Sequence, residues 1–308
     1  MARADIGRVR HNTWKQMKRY RASYLLMAPF MLLFMGLTVL PMLSSVGLSF
    51  TSFNMLEPPR FIGWQNYQRM ILDDPVFFKV VGNTLLFALI TGPAGYIMSF
   101  LFAWLIHETG RTLRTILSVI FYMPVLSGNI YFVWAFLLSA DSQGVINGWL
   151  LQLGIIQEPI GFLIDQNKML ASLMVVQLWM SLGTGFLAFI AGFQSMDKSL
   201  FEAGSIDGIG NRWQELWHIT LPSMAHQLLF SAVMQISASF GVSAVITTLV
   251  GFPTSQYSAD TIPTYIMDIG TTRFEMGYAC TISVFLFVMM LLTNFAVTGA
   301  LRRFSPDT

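Results

Sequence analysis

The sequence predicts an all-α integral membrane protein with six transmembrane helices, and three observations predict it. Only 11% of the 308 residues are charged, against roughly 25% in a soluble domain. Six windows contain no Asp, Glu, Lys or Arg: 22–56, 80–106, 115–140, 169–196, 216–259 and 276–301. The basic residues are divided unevenly among the connections between those windows.

Each window is long enough to cross a bilayer. About 20 apolar residues, rising about 1.5 Å each, span a hydrocarbon core roughly 30 Å thick. Backbone amides find no water there, so each span is expected to be helical. The spans are placed near 24–48, 82–106, 115–139, 170–193, 226–250 and 278–301. A soluble bundle is argued against because soluble helices need a polar face. The first window is longer than a signal-peptide core of roughly 7–15 residues, and no small-residue cleavage site follows it, so it reads as a span. Cys280 is the only cysteine, so neither an internal disulfide nor a thiolate metal cluster is available. The net charge of +2 is too small to suggest nucleic acid as a partner.

Orientation follows from the basic residues, which collect on the cytoplasmic side. Arg3, Arg8, Arg10, Lys15, Lys18, Arg19 and Arg21 place the N-terminus inside. Six spans return the C-terminus inside, with Arg302 and Arg303. The connections 107–114, with Arg111 and Arg114, and 194–225, with Lys198 and Arg212, are inside as well. Arg60, Arg69, Lys79, Lys168 and Arg273 fall outside, beside nine acidic residues that would make the outer face mildly acidic. The basic N-terminal segment reads as a solvated topology signal, with a lipid-held surface helix as the other reading.

Nothing divides the chain into domains, so residues 1–308 read as a single membrane domain. The outer connections 51–79, 140–169 and 251–277 carry turn formers and aromatic residues, which suits short surface helices or a docking surface. Pro29, Pro41, Pro93, Pro124, Gly183 and Gly185 interrupt the spans. Proline frees a backbone carbonyl and bends a helix, and small residues let helices approach closely.

The inner connection 194–225 is the longest on its side. Ser199 to Ile206 is helix material, with Leu200, Ala203 and Ile206 on one side. Asp207-Gly208-Ile209-Gly210 breaks it, with glycine free to take positive φ. Asn211 can cap a second helix from Arg212 to Ile219, and Leu221-Pro222 is expected to end it. The product is a compact helix–turn–helix knob.

These residues resemble a motif of the permease subunits of bacterial binding-protein-dependent ABC importers. That motif reads Glu-Ala-Ala, three residues, Gly, about nine residues, Ile-x-Leu-Pro. Here it is Glu202-Ala203-Gly204, then Gly208, then Ile219-Thr220-Leu221-Pro222. Gly204 stands in place of the second alanine, and ten residues instead of nine separate Gly208 from Ile219. The Asp207-Gly208 pair and the run from Trp217 to Pro222 look like the carbohydrate-uptake branch. So do the run from Phe61 to Tyr67 and Asn83-Thr84-Leu85.

The resemblance implies the type I ABC importer permease fold in a bacterial cytoplasmic membrane. It implies a second permease subunit, two ATPase subunits that hold ATP and Mg, and an external solute-binding protein. Glu202, Ala203, Gly204, Asp207, Gly208, Ile219, Leu221 and Pro222 would then couple this chain to the ATPase. The chain itself carries no Gly-x-x-x-x-Gly-Lys-Ser/Thr loop, so it is expected to bind no nucleotide or other cofactor and not to be an enzyme. A sugar path would draw on neutral polar and aromatic side chains inside spans. The candidates are Asn129, Tyr131 and Trp134, then Gln177, Trp179, Ser181 and Thr184, then Gln235, Ser237 and Ser239. A secondary carrier or channel is the competing class. Such proteins tend to carry an intramembrane charge or repeated halves, and this sequence shows neither.

Overall fold

The computed structural model describes residues 18–127, 130–142 and 144–302. The greater part of the basic N-terminal segment, Asn129 and Arg303 lie outside them.

Among the described residues, four helical runs are long and apolar enough to cross a membrane: Arg21–Leu48, Pro75–His107, Gln166–Ser195 and Met276–Leu301. A fifth candidate is the bent pair Arg111–Leu126 and Tyr131–Leu137, whose halves lie at 85°. The expected span at 226–250 is not one helix. It runs Ala225–Phe240, stops at 241–243 and resumes as Ala244–Leu249. The fourth span is likewise split into Gln166–Trp179 and Thr184–Ser195, with Gly183 capping the second half. The second begins seven residues earlier than expected because Asp74 caps it, its carboxylate accepting from the amides of Val76 and Phe77 at 3.0 and 3.1 Å.

Two prolines are accommodated in the same way. Pro41 and Pro222 each follow a π turn by two residues, the turns being Met35–Val39 and Leu216–Thr220. A proline ring collides with the carbonyl four residues back, and a widened turn relieves that crowding.

The Pro75–His107 helix is the axis of the bundle. It packs against Gln166–Trp179, Thr184–Ser195, Ala225–Phe240 and Ile262–Met267. Three buried apolar clusters lie along it, around Phe77 and Val80, around Phe87, and around Phe100, Ala103 and Ile106. The Arg21–Leu48 run has no buried residue and meets the Met276–Arg302 helix through its Leu40–Leu48 part.

The outer connections fold into short elements. A two-residue antiparallel pair, Thr51–Ser52 with Arg60–Phe61, departs from the all-α expectation. Short helices follow at Gln65–Gln68, Val145–Gln152 and Ile262–Met267. The face formed by these connections is less acidic than composition suggests. Asp260 and Asp268 are buried, and Asp74 accepts from the hydroxyls of Tyr265 and Tyr278 at 2.6 and 2.5 Å. Glu57, Asp165 and Glu275 pair with Arg60, Lys168 and Arg69.

Candidate functional site: the helix–turn–helix knob and the broken spans

The connection after Ser195 folds as helix, turn and helix. Asp197 caps the Lys198–Ile206 helix, accepting from the Ser199 amide at 3.0 Å. That bond, with a second from the Ser199 side chain, holds its carboxyl below the usual carboxylate range. Gly208 takes φ +90°, a conformation that L side chains rarely adopt. Asn211 caps the next helix through its side-chain oxygen, which accepts from the Gln214 amide at 2.9 Å.

The second helix differs from expectation in two ways. It ends one residue beyond Leu221-Pro222, at Ser223. Arg212–Glu215 leads through the π turn Leu216–Thr220 into Leu221–Ser223, and the chain turns at Met224. A π turn holds one residue more per hydrogen-bonded turn than an α-helix. That is the size of the excess between Gly208 and Ile219.

The knob is held from within by Gly204. Its Cα is buried, and a Cβ there would stand 2.6 Å from the Ile219 Cδ1 and 3.2 Å from that of Ile209. Leu200, Ala203 and Ile206 do share one side, but that side faces outward. Ile206 is 86% exposed, and Trp213 and Trp217 are 63% and 65% exposed. Glu202 and Asp207 are exposed too. Ile206, Trp213 and Trp217 thus expose apolar surface beside the acids Glu202 and Asp207, the kind of surface that suits a partner. Among the described residues, nothing lies within 4 Å of a Cβ built at Gly208.

The knob leans on the inner end of the axial helix. Arg212 Nη2 lies 3.0 Å from Glu108 Oε2, and its Nη1 3.0 Å from Glu215 Oε2. The hydrogen bond that Arg212 donates to Glu215 and the charge of Glu108 hold the guanidinium above its ordinary range. Trp213 meets Trp104 edge to face at 5.6 Å. A cavity of about 870 Å³ lies beside this contact, reached by Arg111, Arg114, Lys198 and Glu202.

Comparison with known proteins places this architecture. Residues 93–308 match the family described as "Binding-protein-dependent transport system inner membrane component". The chain belongs to that family. It is 30% identical to "Probable ABC transporter permease protein YesP" of Bacillus subtilis (strain 168), over 88% of each chain. It is 27% identical to the lactose transport system permease protein LacF of Rhizobium radiobacter, over 93% of this chain and 96% of that one. It is 25% identical to the arabinooligosaccharides transport system permease protein AraP of Halalkalibacterium halodurans, over 91% and 88%. Its fold matches a chain in the crystal structure of a bacterial ABC transporter that imports the polysaccharide alginate. The TM-score is 0.77 and the identity 24%, with 95% of this chain and 99% of that one covered.

The permease's path candidates separate into two groups. Ser181 and Gln235 are engaged in holding helices together, and Ser239 is buried. Ser181 accepts a bond from Ser99 through its carbonyl at 3.1 Å, and Gln235 donates to the Thr91 carbonyl at 3.2 Å. Ser239 donates within its own helix. Gly95 permits this approach: a Cβ there would lie 2.8 Å from the Ser181 Cβ and would overlap Gln235 Nε2. Gln235 and Ser239 also border an apolar groove of about 300 Å³ with Leu85 and Pro93. In contrast, Trp179, Thr184 and Ser237 are exposed, each within a turn of a break in its helix. Trp134 pairs edge to face with Trp179 at 5.5 Å. Tyr131 and Trp134 pack on the middle apolar cluster, Gln177 is half-buried, and Asn129 lies outside the described residues.

Sequence reasoning gave no role to Glu108, Trp104 or Asp74, and it named Asn66 and Asn83 only within family-like runs, without their partners. Asn83 donates to the carbonyls of Tyr257 and Asp260 at 3.1 and 3.0 Å. A polar residue at the mouth of an apolar run was the available signal, and it does not name a partner.

Proposed function

We propose that this chain is one of two permease subunits of an ATP-driven importer that carries a sugar or sugar-like solute across a bacterial cytoplasmic membrane. It crosses the membrane six times with both termini inside, the third, fourth and fifth crossings being the broken ones. Two ATPase subunits bind and hydrolyse ATP with Mg, and an external binding protein delivers the solute. The chain itself holds no cofactor and performs no hydrolysis.

One observation carries this reading: the knob from Lys198 to Ser223 is complete inside and unfinished outside. Gly204 closes its interior while Ile206, Trp213, Trp217, Glu202 and Asp207 face outward. An ATPase cleft that receives this knob would bury the apolar residues and pair with the two acids. Closure of the ATPase pair would then tilt the spans between inward-open and outward-open states. The sugar assignment draws on relatives named for lactose, arabinooligosaccharides and a sulfoquinovosyl glycerol.

Within the path, the choice falls on Trp134, Trp179, Thr184 and Ser237. Interrupted helices leave backbone groups free, and at membrane depth such groups are tolerated where they line a cavity. Neutral hydroxyls and aromatic faces beside those breaks suit an uncharged polyol.

The direct test replaces Gly208 with leucine. The chain has room for the side chain, so the bundle should fold; the strained φ and the filled approach should block docking. Copurification of the ATPase and solute uptake are both expected to fall at least tenfold. Normal uptake would sink the assignment. Ligand measurement on the binding protein that copurifies would name the solute.

A further inference from the structure

The knob is joined to the rest of the chain by two routes. One is covalent, through Ser195 into the fourth span and through Met224 into the fifth. The other crosses space to the second span, far away in sequence. There Arg212 meets Glu108 at 3.0 Å and Trp213 meets Trp104 at 5.6 Å. Arg114 fixes the same corner by donating to the carbonyls of His107 and Thr109 at 2.5 and 3.2 Å.

That second route leads to the breaks. From Trp104 to Thr91 the axial helix climbs about 20 Å. Along this stretch Ser99 bonds the Ser181 carbonyl, Tyr96 bonds the Leu228 carbonyl at 3.2 Å, and Thr91 accepts from Gln235. Ser181 belongs to the interruption at 180–183. A helix with no breaks over this stretch therefore connects the corner beneath the knob to the broken part of the fourth span.

We propose that Glu108 and Arg212, with Trp104 and Trp213 beside them, form a strut that transmits movement of the knob to the axial helix and thence to the broken spans. These are positioning residues; none of them touches solute or nucleotide. The inference rests on the importer reading above. The ion pair is partly exposed, with side chains 65% and 39% accessible, so its contribution to folding is small. Its position matters more than its strength. Without it, the apolar cluster that buries Leu216 with Phe100, Ala103 and Ile106 would be left to tie the knob to the axial helix, so that helix would follow the ATPase less closely and hydrolysis would continue with less transport.

The experiment uses the whole complex in vesicles, with its partner permease, ATPase and binding protein. All variants carry Glu215→Gln, so that a single acid faces position 212. Glu108→Arg and Arg212→Glu are made singly and together, and ATP hydrolysed per solute imported is measured beside subunit copurification. Each single variant is expected to assemble and to raise that ratio about fivefold, the scale that one exposed pair supports. The exchanged pair is expected to restore most of the coupling. Singles that keep the parental ratio would overturn the strut. So would an exchanged pair no better than Arg212→Glu alone, which would mean that Arg212 acts on the ATPase directly. A parental complex with no ATP-driven uptake would instead overturn the importer reading, and the strut with it.

Discussion

The two ends of the bundle are built on different principles. At the outer end, polar groups are satisfied within the chain. Buried Asp260 accepts from the Thr254 amide at 2.8 Å, from the Thr254 hydroxyl and from the Thr264 hydroxyl at 3.0 Å. Asp268 accepts from Tyr257 at 2.9 Å and from Arg273, and Asn66 donates to the carbonyls of Ser49 and Thr51. Burial, then the bond to Asp268, pushes the Tyr257 phenol above its ordinary range. At the inner end the knob buries Gly204 and leaves its aromatic residues to solvent. The outer end is finished by folding, whereas the inner end, on the function proposed above, is finished by a partner. Substitutions should therefore cost stability at the first and function at the second.

The sharpest break in that contrast would come from Asp260→Ala. It leaves the Thr254 amide and hydroxyl without a partner in a buried site. The expected loss is about 3 kcal/mol, read as a lower melting temperature in detergent. A protein that melts like the parent would show that water reaches this site and that the outer end is not self-contained.

Gly277→Ala tests the same end by shape. Gly277 donates to the Phe53 carbonyl at 3.0 Å, and a Cβ there would overlap the Thr51 carbonyl oxygen. Backbone cannot swing aside as a side chain can. The expected cost is about 2 kcal/mol, with lowered folded yield. Unchanged yield would mean that the Thr51–Ser52 strand is loosely held.

These outer positions also show where the sequence stopped being readable. Charge-free windows disclosed the spans because lipid excludes charge over a fixed length. The Asp207-Gly208 turn and the Asn211 cap were readable because each acts within a few residues. Asp74 and Tyr278 are 204 residues apart, and nothing in either neighbourhood announces the other. Gly183 marks the break at 180–183, because glycine is a poor helix former, whereas the break at 241–243 falls inside what reads as one continuous span. Path candidates could be named as residue types, but whether Ser181 bonds a neighbouring helix and Ser237 faces outward depends on helix rotation. Leu200, Ala203 and Ile206 made the face readable and the direction not: a stripe looks the same whether it packs inward or awaits another chain.

Asn211→Ala moves to the inner end, where the effect should be local. Removing the side-chain acceptor for the Gln214 amide costs about 1 kcal/mol of helix start. Amides near 212–215 are expected to exchange faster while the melting temperature barely moves. Coupled loss across the bundle would mean that the knob is part of the folding unit after all.

The smallest effect is expected from Gly204→Ala, and it sharpens the contrast most finely. The substitution writes the family's second alanine into this chain. Gly204 lies in a helix and has no positive φ, so alanine brings a gain of roughly 0.5–1 kcal/mol in helix propensity. Against that, the new Cβ meets the end of the Ile219 side chain, which a rotamer change can withdraw. The two terms are of similar size and opposite sign, so stability should change by less than about 1 kcal/mol. Ile219 sits in the π turn that takes up the extra residue, and that turn decides how Trp213 and Trp217 are presented. Retained uptake would show that the π turn alone accommodates the longer spacing. A stable variant that loses uptake would show instead that Gly204 and the extra residue are matched, the missing methyl making room for an Ile219 that the widened turn pushes inward.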